Sequence, residues 1–251
     1  MHWIHLRPLA LAAAITLPTV AAQAAPTSFL DGTVVPGDYT GFTLHTDGSV
    51  NLATAAIATG NPGAALAINY TNRGAGVNLL SVIGLIYGGF SWTPSTGGAL
   101  ASVAFTNDRY IDGGDAFINA NLVTSSRALV QQDGRYFIAA ILDIGQPRLS
   151  WYTNGDSSLS ATDFAEIDPL TGLTDASQHP DFSASGSALG FGVLNRFLLD
   201  VGGPYALNAR FAYDNIGFTM NLARAVPEPG VPSLLAVSML ALALTRRRHR
   251  G

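Results

Sequence analysis

An all-β fold, a β-sandwich, is predicted for the main part of this chain by three observations. Short runs of apolar residues alternate with polar residues, which is the period of a half-buried strand. Gly, Asn, Asp, Ser and Thr separate these runs, and no stretch between them has the spacing of an amphipathic helix. The eleven candidate strands, which are short as in sandwich domains, are Tyr39–His45, Ala65–Tyr70, Leu79–Tyr87, Ala99–Thr106, Phe117–Leu122, Arg127–Gln131, Tyr136–Ile144, Arg148–Thr153, Ala188–Leu194, Tyr205–Tyr213 and Asn215–Asn221.

Two of these strands and one turn carry more specific expectations. Leu79–Tyr87 is apolar on both faces, which predicts a central strand that is covered on both sides. Ala206–Tyr213 alternates regularly, so Phe211 and Tyr213 are expected on one face. Asn154-Gly155 is typical of a tight turn, or of part of an exposed loop, because both residues tolerate a positive φ.

The last part of the chain, residues 226–251, indicates where the protein resides. Two prolines form a stiff collar before the apolar run Val231–Leu244, which is expected to form a hydrophobic helix. The run ends in arginines, which stay at the cytoplasmic side of a membrane, so the preceding domain is expected to be translocated. The residues of this pattern are, in order, Val226, Pro227, Glu228 and Pro229 before the helix and Arg246, Arg247 and Arg248 after it.

This order of Val-Pro-Glu-Pro, short hydrophobic helix and terminal arginine cluster resembles the PEP-CTERM sorting signal of exported Gram-negative bacterial proteins, which an exosortase handles. The resemblance implies transient anchoring in the inner membrane, removal of the tail, and delivery to the cell surface or extracellular polymeric matrix. It implies nothing about the preceding domain, because unrelated domains carry this tag. An ordinary C-terminal membrane anchor is the alternative, although the apolar run is shorter than the about 20 residues that span a bilayer.

The N-terminus has the pattern of a Sec-type signal peptide, which agrees with export. Arg7 supplies the positive charge, Leu9–Val20 is an apolar core too short to span a membrane, and Ala22–Ala24 is a small-x-small cleavage site. The predicted organisation is therefore a signal peptide with its signal helix at 1–24, a β-sandwich domain at 25–225, and a sorting or anchor segment with a hydrophobic helix at 226–251.

The composition of residues 25–225 limits the classes of partner. This stretch holds sixteen carboxylates against eight arginines, a formal charge of −8, and the chain has no Lys. Nucleic acid is excluded as a partner, because phosphate binding needs a basic face. The chain has no Cys, so a domain exported to an oxidising compartment must be held by its core and its sheets, with or without a metal.

Three further stretches resemble the concanavalin-like, laminin-G-like jelly rolls that are often found upstream of this tag. They are Leu100–Phe105, Arg127–Gly134 and Tyr213–Ile216. The resemblance covers roughly half of the domain in loose patterns and implies a jelly-roll form of the sandwich.

The residues offer little for catalysis. No Gly-x-Ser-x-Gly, His-Glu-x-x-His or phosphate-loop motif occurs. The domain has only His45 and His179, which are interpreted as solvated or hydrogen-bonded side chains, and one glutamate, Glu166, which is interpreted as part of an acidic surface turn. A glycosidase would need two placed carboxylates, one with a raised pKa. The protein is therefore predicted not to be an enzyme.

A calcium site is the best inorganic hypothesis. The stretch Asn107–Asp115 is read as a loop after a strand, and Ca²⁺ takes six to eight oxygen ligands that clustered aspartates can supply. The candidate ligands are Asp108, Asp112 and Asp115, with Asp214 either a further ligand or a turn residue. A solvated acidic turn is the alternative, because the stretch does not match the EF-hand pattern.

Aromatic residues are the candidates for glycan contact, since sugar rings dock on flat aromatic faces. Trp92 is expected to pack in the core or at an edge. In a regular strand 148–153, Trp151 and Tyr152 would point to opposite faces, so one of them is predicted to be exposed.

Three functions fit these observations. The first is a non-enzymatic surface or matrix protein whose jelly roll contacts polysaccharide or other matrix components. The second is a purely structural surface protein without a ligand. The third is a secreted hydrolase, against which the scarcity of Glu and His counts.

Overall fold

The computed structural model describes residues 27–32, 35–46, 49–61, 63–74, 78–114, 122–140, 149–200 and 205–223. The predicted signal peptide, the sorting segment and Asp115 lie outside these ranges. Nearly all regular structure in the described ranges is extended. The strands are β1 (Thr27–Asp31), β2 (Tyr39–Thr46), β3 (Ser49–Gly60), β4 (Gly63–Gly74), β5 (Asn78–Trp92), β6 (Leu100–Asp112), β7 (Leu122–Gln132), β8 (Arg135–Ala139), β9 (Tyr152–Leu159), β10 (Phe164–Ile167), β11 (Thr174–Asp175), β12 (Leu189–Asp200) and β13 (Tyr205–Leu222).

Helical structure in the same ranges is brief. It consists of the four-residue helix α1, Pro94–Gly97, and two 3-10 turns at Pro36–Asp38 and Ala161–Asp163. A capping box between Ser160 and Asp163 closes the second turn and leads the chain into β10. Within the described residues, no helix has the length and apolar character needed to cross a membrane.

The strands form two antiparallel sheets, which confirms the predicted β-sandwich. The six-stranded sheet has the order β3-β4-β13-β6-β9, and β1 pairs with the C-terminal half of β13. The seven-stranded sheet has the order β11-β10-β8-β7-β12-β5-β2. The prediction of a central strand at 79–87 is confirmed, because β5 pairs with both β12 and β2.

The main core fills the space between the two sheets. Phe211 and Tyr213 of β13 are both fully buried on its inner face, as the alternation in this strand predicts. From the opposite sheet, the ring of Phe197 stacks on Phe211 at 5.2 Å and meets Tyr70 edge-on at 4.6 Å. Burying each such aromatic side chain stabilises the fold by about 1.5–3 kcal/mol, so this layer holds the sheets together without disulfides.

A second apolar cluster lies on the other face of the seven-stranded sheet. The rings of Phe42 in β2 and Tyr136 in β8 are 4.6 Å apart there, although β5, β12 and β7 lie between these strands. A flat sheet would separate the two strands by about 19 Å, since neighbouring strands are about 4.8 Å apart. The sheet is therefore strongly curved, and this face is its concave one. The buried members of this concave cluster are Leu44, Val82, Leu129, Ile138, Ile167 and Leu194.

Several element boundaries differ from the predicted ones. The strands predicted at Tyr205–Tyr213 and Asn215–Asn221 are one strand, β13, whose pairing with β6 shifts between Asp214 and Gly217. The turn predicted at Asn154-Gly155 is wrong, since both residues lie inside β9 and pair with Asn107 and Thr106. The sequence pattern missed β1, β3, β10 and β11.

Candidate functional site

The predicted calcium ligands do not come together in the described residues. The loop expected at Asn107–Asp115 is wrong for its first part, because β6 continues to Asp112. Asp108 and Asp112 are four residues apart in this strand, roughly 13 Å at about 3.3 Å per residue, so one ion cannot bridge both carboxylates. In the part of the chain that the structure describes, no group of three His, Asp or Glu side chains is placed to hold a metal ion. A contribution from Asp115 stays a prediction.

Asp108 instead belongs to a polar cluster with Asp214, its cross-strand partner in β13. The hydroxyl of Thr153 donates to Asp108 Oδ1 at 2.5 Å, and the Asn215 amide donates to Asp108 Oδ2 at 2.7 Å. The backbone N–H of Asn61 donates to Asp214 Oδ2 at 2.6 Å. Both carboxylates are more than nine-tenths buried. They anchor the turn between β3 and β4 to β6 and β13. The chain passes close to Asp214 at Gly60, since a Cβ there would lie 2.6 Å from Asp214 Oδ2.

Tyr110 and Trp151 form the aromatic group that is best placed to contact a ligand. Their ring centroids are 5.7 Å apart with a tilt of 47°, and both side chains are half-buried. By alternation with the inward-facing Ile111, Tyr110 points away from the core of the sandwich. The Leu149 N–H donates to the Ile111 carbonyl at 2.9 Å, which holds the segment before β9 beside β6. We call this pair the Tyr110–Trp151 platform.

Polar side chains lie beside the platform on the same face. Asp112, two residues along β6, pairs in register with Arg210 of β13. Arg210 is exposed and its Nε donates to the Asn69 side chain at 3.4 Å. The platform therefore combines flat aromatic surface with hydrogen-bonding groups, which is the combination that sugar rings require.

The prediction of a regular strand at 148–153, which would place Trp151 and Tyr152 on opposite faces, is wrong. β9 begins at Tyr152, and Trp151 precedes it. Tyr152 is half-buried and pairs with the buried, inward-facing Arg109, which places it on the core side of the sheet edge. Trp92, expected in the core or at an edge, is 9% exposed, and its indole N–H donates to the Gly98 carbonyl at 3.0 Å.

The acid–base candidates are engaged in local contacts. Glu166 lies in β10, rather than in the predicted turn, and forms an ion pair with Arg135. His179 contacts the Phe164 carbonyl through Nδ1 at 2.6 Å, which agrees with the interpretation of a hydrogen-bonded histidine. The side chain of His45 lies outside the described part.

A layer of polar side chains interrupts the apolar core. The fully buried hydroxyl of Tyr213 faces the side chains of Asn195 and Ser126 across the sandwich without a hydrogen bond of normal geometry. Burial raises the pKa of Tyr213 to about 12, although the positive charge of Arg109 and the polar groups of Asn195 and Ser126 act in the opposite direction. The phenol is therefore kept neutral by its surroundings.

Comparison with known proteins gives likenesses to solved structures alone. No family model and no curated protein matches the chain. A solved structure of carbohydrate-binding modules from the β-sandwich superfamily, described for their promiscuous specificity, is similar with a TM-score of 0.38 and 12% sequence identity. The similar region covers 74% of this chain and 58% of that one, so this chain spans less than two thirds of its length.

Proposed function

We propose that this chain is an exported, non-enzymatic protein of the cell surface or extracellular matrix whose β-sandwich binds polysaccharide through the Tyr110–Trp151 platform. The predicted signal peptide and the resemblance of the tail to the PEP-CTERM signal support export, passage through the inner membrane and processing by an exosortase. The proposal of glycan binding rests on one observation, the half-buried aromatic pair with polar neighbours on the face turned away from the core.

The geometry of the platform favours weak binding of a polysaccharide. The two rings are tilted against each other and both side chains are half-buried, so part of the pair stays accessible to a ligand. Such a surface can stack against sugar rings, while Arg210 and Asn69 beside it can donate and accept hydrogen bonds. A polysaccharide matches this arrangement because it offers repeated rings and hydroxyls along its length.

The state of the acidic and basic residues supports a non-catalytic role. The Glu166 carboxylate is held by Arg135, and the buried Asp108 and Asp214 accept hydrogen bonds from side chains and backbone. General acid–base catalysis of glycoside cleavage needs two carboxyl groups that face a common substrate position. Asp108 and Asp214 are more than nine-tenths buried, so they do not present their carboxyl groups to a substrate on the surface.

The test of glycan binding is a titration of the purified protein with matrix polysaccharide. Trp151→Ala is expected to weaken binding about tenfold, as loss of a central aromatic anchor typically costs more than about 1 kcal/mol. Tyr152→Ala is the matched control. It removes an aromatic ring that is adjacent in sequence but lies on the core side of the sheet, outside the platform. Equal effects of the two variants would reject the platform. An absence of binding by the wild type would favour the purely structural surface protein.

The sorting part of the proposal has its own test. In a host with an exosortase, protein extracted from the cell surface should lack the segment after the Pro-Glu-Pro motif, and intact-mass measurement reports this directly. A mass that retains Val231–Leu244 and the terminal arginines would leave the ordinary membrane anchor as the explanation of the tail.

A further inference from the structure

Two arginines lie side by side on the concave face of the seven-stranded sheet. Leu129 in β7 and Leu194 in β12 belong to the concave cluster. Arg127 is two residues from Leu129 and Arg196 is two residues from Leu194, so both arginines lie on the same concave face. In the register of these strands Arg127 pairs with Leu194 and Arg196 pairs with Ser125. The two arginines are therefore diagonal neighbours, with backbones about 7–8 Å apart, close enough for both guanidinium groups to reach one ligand group.

Their positive charges are not compensated by the described residues. Arg127 is 7% exposed, its Nη1 donates to the Ala139 carbonyl at 3.3 Å, and its Nε has no acceptor. No carboxylate in the described part forms an ion pair with either side chain. Burial lowers the pKa of Arg127, and the charge of Arg196 lowers it further.

This arrangement is costly in an acidic protein. The stretch 25–225 has sixteen carboxylates and only eight arginines. There are therefore enough carboxylates to form an ion pair with every arginine. A buried donor without an acceptor costs about 1–3 kcal/mol, and more when it is charged. An anionic ligand group would offset the repulsion between the two guanidinium groups.

We propose that Arg127 and Arg196 form a binding site for an anionic group, the carboxylate of an acidic polysaccharide. The carboxylate would accept hydrogen bonds from the guanidinium groups of Arg127 and Arg196. Phe42 and Tyr136, both half-buried on the same concave face, supply aromatic surface for the attached sugar rings. The inference rests on the proposed function only in taking a polysaccharide as the carrier of the anion, and it uses a different sheet from the Tyr110–Trp151 platform.

The test compares a charged oligosaccharide with its neutral form. Oligogalacturonate and its methyl ester have the same ring stereochemistry, and the ester lacks the charge. Calorimetric titration of the purified protein should show about tenfold tighter binding of the free acid, as expected for a charge-assisted hydrogen bond. The affinity of the protein for the free acid should fall as salt is raised from low to physiological ionic strength.

Substitutions locate the effect. Arg196→Gln should remove the preference for the acid, and Arg127→Gln should do the same where it folds. Because Arg127 is buried, the half-exposed Arg196 decides the outcome if Arg127→Gln unfolds. Arg135→Gln makes the same change of net charge at an exposed ion pair and should leave the preference intact.

Three results would overturn the site. These are equal affinities for acid and ester, an acid preference that survives Arg196→Gln, and binding of neutral glycans with none of the acid. In each case loss of neutral-glycan binding in Trp151→Ala would still support the platform, so failure of this site is distinguishable from failure of the proposed function.

Discussion

The buried phenol of Tyr213 makes the stability of the domain sensitive to alkaline pH. Its pKa is raised from 10.0 to about 12 by burial in the folded state, and it is expected to return to 10.0 on unfolding. The unfolded chain therefore loses this proton first as pH rises. The contribution to stability is fully present below pH 10 and is lost between pH 10 and about 12.

The size of this effect follows from linkage. A shift from 10.0 to about 12 corresponds to about 3 kcal/mol across the whole window, and the slope approaches 1.4 kcal/mol per pH unit. At pH 11 the wild type should have lost about 1.4 kcal/mol through this group alone. Tyr39, whose pKa is also raised by burial and by its hydrogen bond to Asp31, changes stability in the same direction.

The perturbation is Tyr213→Phe, which removes the ionisable group and keeps the ring. At pH 7 the variant should be within about 1 kcal/mol of the wild type, because the hydroxyl makes no hydrogen bond of normal geometry. Urea unfolding of both proteins at intervals from pH 8 to pH 11 measures the difference. The variant should lose less stability than the wild type above pH 10. If the free energies of unfolding of the two proteins change in parallel over this pH range, the claim that the Tyr213 phenol is buried and neutral in the folded state is refuted.

Three other outcomes follow from local geometry. Gly192→Ala should destabilise the domain by about 1–3 kcal/mol in thermal unfolding, because a Cβ there would run into the Leu85 carbonyl, whereas Gly37→Ala, with no atom within 4 Å of its Cβ, should be nearly neutral. Arg135→Gln should change the free energy of unfolding by less than about 1 kcal/mol, since its ion pair is 45% exposed on the arginine side. If the predicted calcium site exists, EDTA lowers the melting temperature of the wild type and has no effect on Asp112→Ala; an equal response of both proteins would exclude Asp112 as a ligand.

Local alternation in the sequence was sufficient for the fold class and for parts of the core. The strand containing Phe211 and Tyr213 has an apolar side chain at every second position from Leu207 to Tyr213, and Phe211 and Tyr213 are both fully buried. The pattern was insufficient for β3, whose residues Ser49–Gly60 are mostly small and polar or alanine. Such a strand is recognised only through its pairing with β4, which is a tertiary contact.

The candidate sites depended on pairing between distant strands. The sequence predicts Trp151 as a candidate glycan contact in a strand at 148–153, but its partner Tyr110 comes from β6, and only the pairing of β6 with β9 brings them together. Arg127 and Arg196 likewise become neighbours through the register of β7 with β12. The prediction of a loop in the aspartate-rich stretch is wrong for Asp108, because this residue is buried in a strand, where its hydrogen bonds to Thr153 and Asn215 offset the cost of burying a carboxylate.

The indole N–H resonances of the protein test the proposed glycan site most directly. The domain has two tryptophans, Trp92 and Trp151, because the third lies in the predicted signal peptide. Trp92 is buried and donates to the Gly98 carbonyl, which makes it an internal control. In a ¹H–¹⁵N spectrum, addition of matrix polysaccharide fragments should shift the Trp151 resonance and leave the Trp92 resonance in place. A titration in which binding is measured but the Trp151 resonance does not move would contradict the Tyr110–Trp151 platform.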